Sequence, residues 1–401
     1  MGDTPNIRFK GFMRDWEQRE LGELAEKTYG GGTPKTSQEG FWNGNIPWFQ
    51  SADLTEHEVL SAIPKKGITE IGLQKSAAQL IPGNSIAIVT RVGVGKLVFM
   101  PFSYATSQDF LSLSELNYDE IFVCYAIYKL LQKEKNLTQG TSIKGITKEE
   151  LLNKKIEVPN REEQKKIGRY FTNLDHLITL HQRKCDETKE LKKYMLQKMF
   201  PQNCQKVPEL RFAGFTEDWE QRKFGDLGSV ATCKRIFKDQ TESEGDIPFY
   251  KIGTFGSQPD AFISRELFEE YRAKFQYPEI GDMLISASGT IGRTVEYNGE
   301  NAYFQDSNIV WFKHDERIDN SFLKCIYAIV KWSGVEGSTI KRLYNDNFLK
   351  TEFYMPTVLE QKKIGVYFQN LDHLITLHQR KCNALKEVKK FMLQNMFPQK
   401  G

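Results

Sequence analysis

The chain has 401 residues, with 55 basic and 52 acidic side chains, a formal net charge of +3 and 39% hydrophobic residues. That length holds two or three domain cores, and so small a charge excess excludes a generally polybasic protein, so any basic surface has to be local. Six cysteines without a Cys-x-x-Cys pair, a polar start and no apolar run near the roughly 20 residues of a membrane span point to free thiols, a reducing cytoplasm and no membrane.

Residues 1–155 have a strand-and-turn texture after an entry that reads Arg8-Phe-Lys-Gly-Phe-Met-Arg-Asp-Trp-Glu17. Short β-branched and aromatic runs, Ser85–Thr90 and Leu97–Phe99, are broken by Gly and Pro, and Glu120–Lys133 is a helical patch, so an α+β domain is expected. Its polar loops Gly30–Ser37 and Thr90–Lys96 set hydroxyls, amides and bases beside Trp42 and Trp48.

Residues 156–205 follow as a helical segment. Ile167, Phe171, Leu174, Ile178, His181 and Cys185 recur in 4-3 spacing, a coiled-coil seam that Leu177 and Leu180 widen. Asn160 followed by Glu163 has capping-box spacing, and Pro201 marks the end. About 38 residues at roughly 1.5 Å each predict a rod of about 57 Å.

Then the pattern starts again. Arg211-Phe-Ala-Gly-Phe-Thr-Glu-Asp-Trp-Glu220 opens a second α+β domain, 206–352, with a strand at Asn308–Phe312 and a helix at Asn320–Trp332. The final segment, 353–401, repeats the first rod: Gln361–Gln399 aligns with Gln164–Gln202 without a gap, 31 of 39 residues being identical. Thr357 and Glu360 repeat the capping spacing, Pro398 the stop, and Ile364, Phe368, Leu371, Ile375, His378 and Cys382 the seam. An amphipathic rod needs a cover, and its own duplicate, packed antiparallel, is the nearest candidate. The expected architecture is α+β, with two similar domains at opposite ends of an antiparallel pair of long helices, a coiled coil with internal pseudo-two-fold symmetry. The rods then act as a ruler.

Framework positions match between the two domains while neighbouring positions differ: Gln50 against Lys251, Thr90 against Ser288, Ser107 against Phe304. One scaffold with two different tips should read two different words. Side chains able to address bases and phosphates in the first domain are Lys35, Thr36, Gln50, Thr90, Arg91, Lys96, Gln108, Ser142 and Lys144. In the second they are Lys234, Arg235, Lys251, Ser286, Ser288, Thr290, Arg293, Gln305 and Lys341.

Covalent chemistry finds little support. Arg91–Lys96 resembles a phosphate loop, but Thr90 stands where its first Gly is needed and Leu97 where a Ser or Thr would hold magnesium. His176, His181, His373 and His378 with the two helix cysteines sketch a metal site, yet the i, i+5 spacing sends the histidines of one helix to different faces. Buried polar layers that fix register suit them better. No catalytic residue and no metal ligand is assigned.

With these residues in view, the chain resembles the specificity (S) subunits of type I restriction-modification systems over essentially its whole length. The carriers are Glu163-Gln-Lys-Lys-Ile167 and Glu360-Gln-Lys-Lys-Ile364, each followed by Asn-Leu-Asp-His-Leu-Ile-Thr-Leu-His-Gln-Arg-Lys, the two Arg-Phe entries, and Gly31-Gly-Thr-Pro-Lys35 with Trp42–Trp48. The second domain has Thr232-Cys-Lys-Arg-Ile236 in place of Gly-Gly-Thr-Pro, which implies a different specificity class. The resemblance implies two target-recognition domains, each reading half of a bipartite, asymmetric sequence in double-stranded DNA, with the helices setting the unread gap. It implies two methyltransferase (M) subunits docked on the chain and restriction (R) subunits joining them. S-adenosylmethionine, Mg and ATP would then belong to the partners, and the chain would need no cofactor. A duplicated-domain protein–protein adaptor without DNA contact is the rival reading, and a free-standing nuclease the second rival.

Overall fold

The computed structural model describes residues 4–137, 145–202, 205–334 and 342–398. The chain divides into two compact units, the first Met1–Arg183 with His378–Gly401 and the second Lys184–Leu377. Each unit therefore takes half of each long helix.

In the first unit the strands are β1 (Glu17–Glu20), β2 (Ala25–Gly30), β3 (Trp42–Phe49), β4 (Lys66–Ile68), β5 (Ser85–Val89), β6 (Leu97–Met100), β7 (Ala105–Thr106), β8 (Phe110–Leu116) and β9 (Lys155–Val158). The helices are α1 (Glu70–Gln74), α2 (Glu120–Leu137), α3 (Lys148–Leu152) and the start of α4 (Arg161–Lys198). An antiparallel sheet runs β2-β8-β5-β6, a second runs β4-β3-β7 with β3 and β7 parallel, and β1 pairs with β9. Every residue of β5 is buried, which is why its sequence is a continuous apolar run rather than an alternating one.

The second unit repeats this plan element for element. Its strands are β10 (Glu220–Lys223), β11 (Gly228–Ala231), β12 (Ile247–Tyr250), β13 (Phe262–Ile263), β14 (Met283–Ser286), β15 (Thr294–Glu296), β16 (Tyr303–Phe304), β17 (Ile309–His314) and β18 (Glu352–Met355). Its helices are α5 (Arg265–Lys274), α6 (Asn320–Ile329), α7 (Asn345–Lys350) and part of α8 (Val358–Asn395). The sheets run β11-β17-β14-β15 and β13-β12-β16, and β10 pairs with β18, the orders of the first unit in new residues.

The repeated motifs acquire structural reasons. The carboxylate of Glu163, which is fully buried, accepts both arms of Arg8 at 2.7 and 2.8 Å, and Glu360 accepts Arg211 at the same distances. This corrects the capping-box expectation. Asn160 does cap α4, accepting from the Glu163 amide at 3.1 Å, but the glutamate's carboxylate clamps the Arg-Phe entry segment instead of returning to the cap. The neighbouring glutamines act alike: Gln164 accepts from the Asp119 amide and Gln361 from the Asp319 amide, both at 2.9 Å, tying each long helix to the start of α2 or α6. A Cβ on Gly365 would stand 1.7 Å from Ser321 Oγ, so the Ile-Gly step lets the helices approach closely.

Within each unit the two helix halves run antiparallel. In the first, His181 meets His378 (Nδ1 to Nδ1, 3.0 Å), Asp175 meets Lys389 (2.5 Å) and Phe171 stacks on Phe397 (6.0 Å), so one helix retreats as the other advances. In the second, Cys185 Sγ lies 3.8 Å from the Ile375 carbonyl, Lys192 2.5 Å from Asp372, and the Phe200 ring 6.1 Å from that of Phe368. His176 and His373 are exposed. Much of the expected seam serves the α+β cores: Ile167, Phe171 and Leu174 are buried with α2, and Ile364, Phe368 and Leu371 with α6. Ile178 and Ile375 are half-buried beside the duplicate helix.

Candidate nucleic-acid interface

Strand register collects the polar loops of the first unit at one end. Gly30 pairs with Leu111, Val89 with Phe110, Ile88 with Leu97 and Phe49 with Thr106, so β2, β3, β5 and β7 finish where β6 and β8 begin. The Ser107 amide donates to the Phe49 carbonyl (2.8 Å) and the Gly32 amide to that of Thr106 (2.8 Å), joining the loops of both sheets.

The Gly-Gly-Thr-Pro loop is pinned by backbone approach. A Cβ at Gly31 would fall 1.8 Å from the Ser107 carbonyl oxygen and one at Gly32 2.1 Å from that of Ala77. The Trp48 indole donates to the Gly32 carbonyl (3.0 Å) and the Trp42 indole to that of Lys35 (3.2 Å), the rings packing edge to face at 5.1 Å. Lys35 and Thr36 stay exposed on that support, as do Arg91 and Gln108, whose amide oxygen accepts from Thr33 Oγ1 at 2.6 Å. Gln50 is half-buried, its backbone N–H donating to the Asp53 carboxylate (3.0 Å). Two candidates are spent on the scaffold. The Thr90 hydroxyl donates to the Asp109 carbonyl at 3.0 Å, and the Lys96 ammonium to the Leu54 and Ser51 carbonyls at 2.8 and 3.4 Å. Ser142 and Lys144 lie outside the described residues.

The second unit gathers its loops by the same register: Ala231 with Trp311, Ser286 with Ile309, Ile285 with Thr294, Tyr250 with Phe304. Lys234 and Arg293 are exposed there, with the Arg293 guanidinium donating to the Phe255 carbonyl at 2.9 Å. Arg235 pairs with Asp306 and Lys251 with Asp260, both at 2.9 Å, so two of the expected cations are locally neutralised. Ser286 is buried and holds the turn, donating to the Thr290 carbonyl (2.5 Å) and accepting from the Arg293 amide (3.0 Å). Ser288 donates to Asn308 at 2.9 Å, Thr290 is exposed, and the half-buried Gln305 accepts from the Ile252 amide at 2.8 Å. Lys341 lies outside the described residues. Burial pushes the Cys233 thiol up to about 12, so it is no nucleophile at neutral pH.

The geometry adds residues that residue type alone did not single out. Asp109 and Asp306 organise the loop after β7 and β16, and Thr232 Oγ1 accepts from the amide of Ser307, a non-glycine residue held at φ 54°. Arg342 bridges to Ser288 and lies 5.4 Å over the half-exposed Tyr344 ring. The Gln-Asp pair shared by both halves was the available signal for the aspartates. Arg342 had none, because its place comes from a contact 54 residues away in sequence.

Sequence comparison matches residues 13–190 and 216–387 to the family described as type I restriction modification DNA specificity domain. A 143-residue stretch, 35% of this chain, is 60% identical to the putative type I restriction enzyme specificity subunit S.HindORF215P of Haemophilus influenzae, but spans only 37% of that relative. Over 96% of its length the chain is 23% identical to the type I restriction enzyme MjaIX specificity subunit of Methanocaldococcus jannaschii, covering 93% of it. Among solved structures, the S subunit of a type I restriction-modification system from M. genitalium superposes with a TM-score of 0.65 at 15% identity, covering 99% of this chain and 100% of that one. At that identity the likeness shows the fold. No helix among the described residues is long and apolar enough to cross a membrane.

Proposed function

The chain belongs to the type I restriction modification DNA specificity family, as a specificity subunit with duplicated target-recognition domains, and from this premise we propose that the loop end of each unit reads one half of a bipartite, asymmetric duplex DNA target. The observation that carries the reading is the convergence, at one end of each repeated scaffold, of loops whose side chains differ between the copies. Lysines and arginines on those ends position the duplex through phosphates, while loop amides, hydroxyls, Arg91 and Arg293 address base edges.

In this reading the chain is the non-catalytic guide of a larger assembly in the cytoplasm. Exposed apolar residues on the long helices, Leu177, Leu191, Tyr194, Leu374 and Phe391, support docking of two methyltransferase subunits, with restriction subunits joining them. S-adenosylmethionine, Mg and ATP act on those partners. Extrusion of the target adenine belongs to the methyltransferase, since a base is modified outside the stack.

Arg91→Ala and Arg293→Ala are each expected to relax recognition of one half-site by about 1–3 kcal/mol, leaving the other half intact. Binding of the chain with its methyltransferase subunits to duplexes varied in one half-site at a time measures this. A uniform loss across all duplexes would make both arginines backbone contacts and overturn the base-reading role. Lys96→Met is the contrast: it should lower stability in denaturant by about 1–3 kcal/mol while the sequence preference stays as it was.

A further inference from the structure

The hairpins β5–β6 and β14–β15 can be compared residue by residue. Ile88 pairs with Leu97 and Ile285 with Thr294, so the two hairpin loops have equal length and align at an offset of 197. A later segment meets each loop at the same place: the Ile146 amide donates to the Thr90 carbonyl (2.7 Å) and the Leu343 amide to the Ala287 carbonyl (2.8 Å). The next residues to face each other are Arg91 and Gly145 in the first unit and, as an antiparallel bridge, Ser288 and Arg342 in the second. Residues opposite each other in such a pair share a face.

Each pair thus contains one arginine, on opposite limbs. In the first unit it comes from the hairpin, and the facing residue has no side chain. A Cβ on Gly145 would stand 2.9 Å from the Thr90 carbonyl oxygen and 3.4 Å from Arg91 Cγ, against the stem of the arginine. In the second unit the hairpin residue is small: Ser288 is buried and its hydroxyl is turned onto Asn308 (2.9 Å). The arginine comes from the facing limb instead, with the Arg342 guanidinium 5.4 Å over the Tyr344 ring, itself 47% exposed. Among the described residues no carboxylate pairs with Arg91 or Arg342, whereas Arg235 and Lys251 are neutralised by Asp306 and Asp260. Arg293 is not the copy of Arg91. It stands at the Lys96 position and, like Lys96, gives a nitrogen to a main-chain carbonyl of the segment after the preceding strand, β12 or β3.

We propose that Arg342 is the specificity-determining counterpart of Arg91, delivered from the opposite limb, and that each arginine holds a guanine of its half-site. Two nitrogens of the guanidinium fork donate to O6 and N7, the one base edge in the major groove that presents two acceptors side by side. The Tyr344 ring restrains the Arg342 guanidinium before DNA arrives, so less side-chain freedom is lost on contact. This rests on the DNA reading proposed above and adds to it a residue and a base.

The test is selection from a duplex library of random sequence by the full chain with its methyltransferase subunits, followed by sequencing of the bound fraction. Wild type should select a G·C pair in each half-site. Arg342→Gln, which keeps most of the stem, and Arg342→Ala should each lower the preference for the guanine of one half-site about ten-fold and leave the other selected positions as they were. Arg91→Ala should do the same in the other half-site. Combining Ser288→Arg with Arg342→Gly rebuilds the first unit's arrangement in the second and should recover the guanine. An unchanged thermal transition verifies that each variant is folded. Wild-type selection by both single variants, an even loss at every position, loss of a pair other than G·C, a change in the half-site that Arg91→Ala alters, or a folded exchange variant without the guanine overturns the proposal and leaves the DNA reading standing. A wild-type chain that selects no sequence overturns both.

Discussion

Asp175→Ala is expected to cost about 3–5 kcal/mol in denaturant unfolding, whereas Asp372→Ala, the same change in the second copy, should cost about 1 kcal/mol or less. The two aspartates occupy identical places in identical sequence, so local sequence cannot separate them. Burial does. Lys389 is 7% exposed, its ammonium faces the Tyr125 ring at 5.2 Å, and Asp175 also accepts the Tyr125 hydroxyl. Removing the carboxylate leaves a buried cation with no counter-charge, held by the His57 carbonyl at 3.2 Å, and a buried hydroxyl that has lost its acceptor. In the second unit the Lys192 and Asp372 side chains are 27% and 31% exposed and Cys325 stands where Tyr125 does, so water takes over when the carboxylate goes. Equal losses in the two variants would sink this account.

Phe397→Ala is expected to cost about 3–5 kcal/mol, and truncation after Leu377 to abolish the cooperative unfolding of the first unit altogether. Phe397 lies near the end of the chain yet is 3% exposed, among Trp16 (6.2 Å), Phe122 (5.6 Å) and Phe171 (6.0 Å). The core of the N-terminal unit is thus closed by the C-terminal residues, and Lys129 reinforces the closure by donating to the Phe397 and Pro398 carbonyls at 3.1 and 2.8 Å. Burial lowers the Lys129 ammonium to about 8, the mark of a charge held inside for its hydrogen bonds. Near-ultraviolet circular dichroism of the truncated chain checks the prediction; a retained first-unit transition would refute it.

Much of the fold was legible in the sequence because it rests on local and repeated signals. The long helices run from Arg161 to Lys198 and from Val358 to Asn395, starting just after Asn160 and Thr357 and stopping short of Pro201 and Pro398, and the strands around Ser85, Leu97 and Ile309 fall where β-branched runs lie between turn residues. Glu163 shows the limit: its spacing from Asn160 satisfies a capping rule, but an arginine 155 residues away offers both a charge and two hydrogen bonds, and wins. The loop residues divide in the same way. Thr90, Lys96 and Ser286 have the composition of readers, yet nearby carbonyls capture their polar atoms, whereas Lys35, Arg91 and Lys234 remain exposed and Arg293, also exposed, gives one guanidinium nitrogen to the Phe255 carbonyl.

Sequence by itself determined the duplication, the class of each repeated element and the family, because identity at constant offset, apolar period and turn chemistry are written along the chain. Only the tertiary structure decided which copy of a repeated residue is buried, where a polar side chain spends its hydrogen bonds, and that the first unit is completed by a helix half from the other end of the sequence. Those outcomes depend on neighbours brought together by folding, and the free energy of a charge or a donor is set by what surrounds it in space rather than by what adjoins it in the chain.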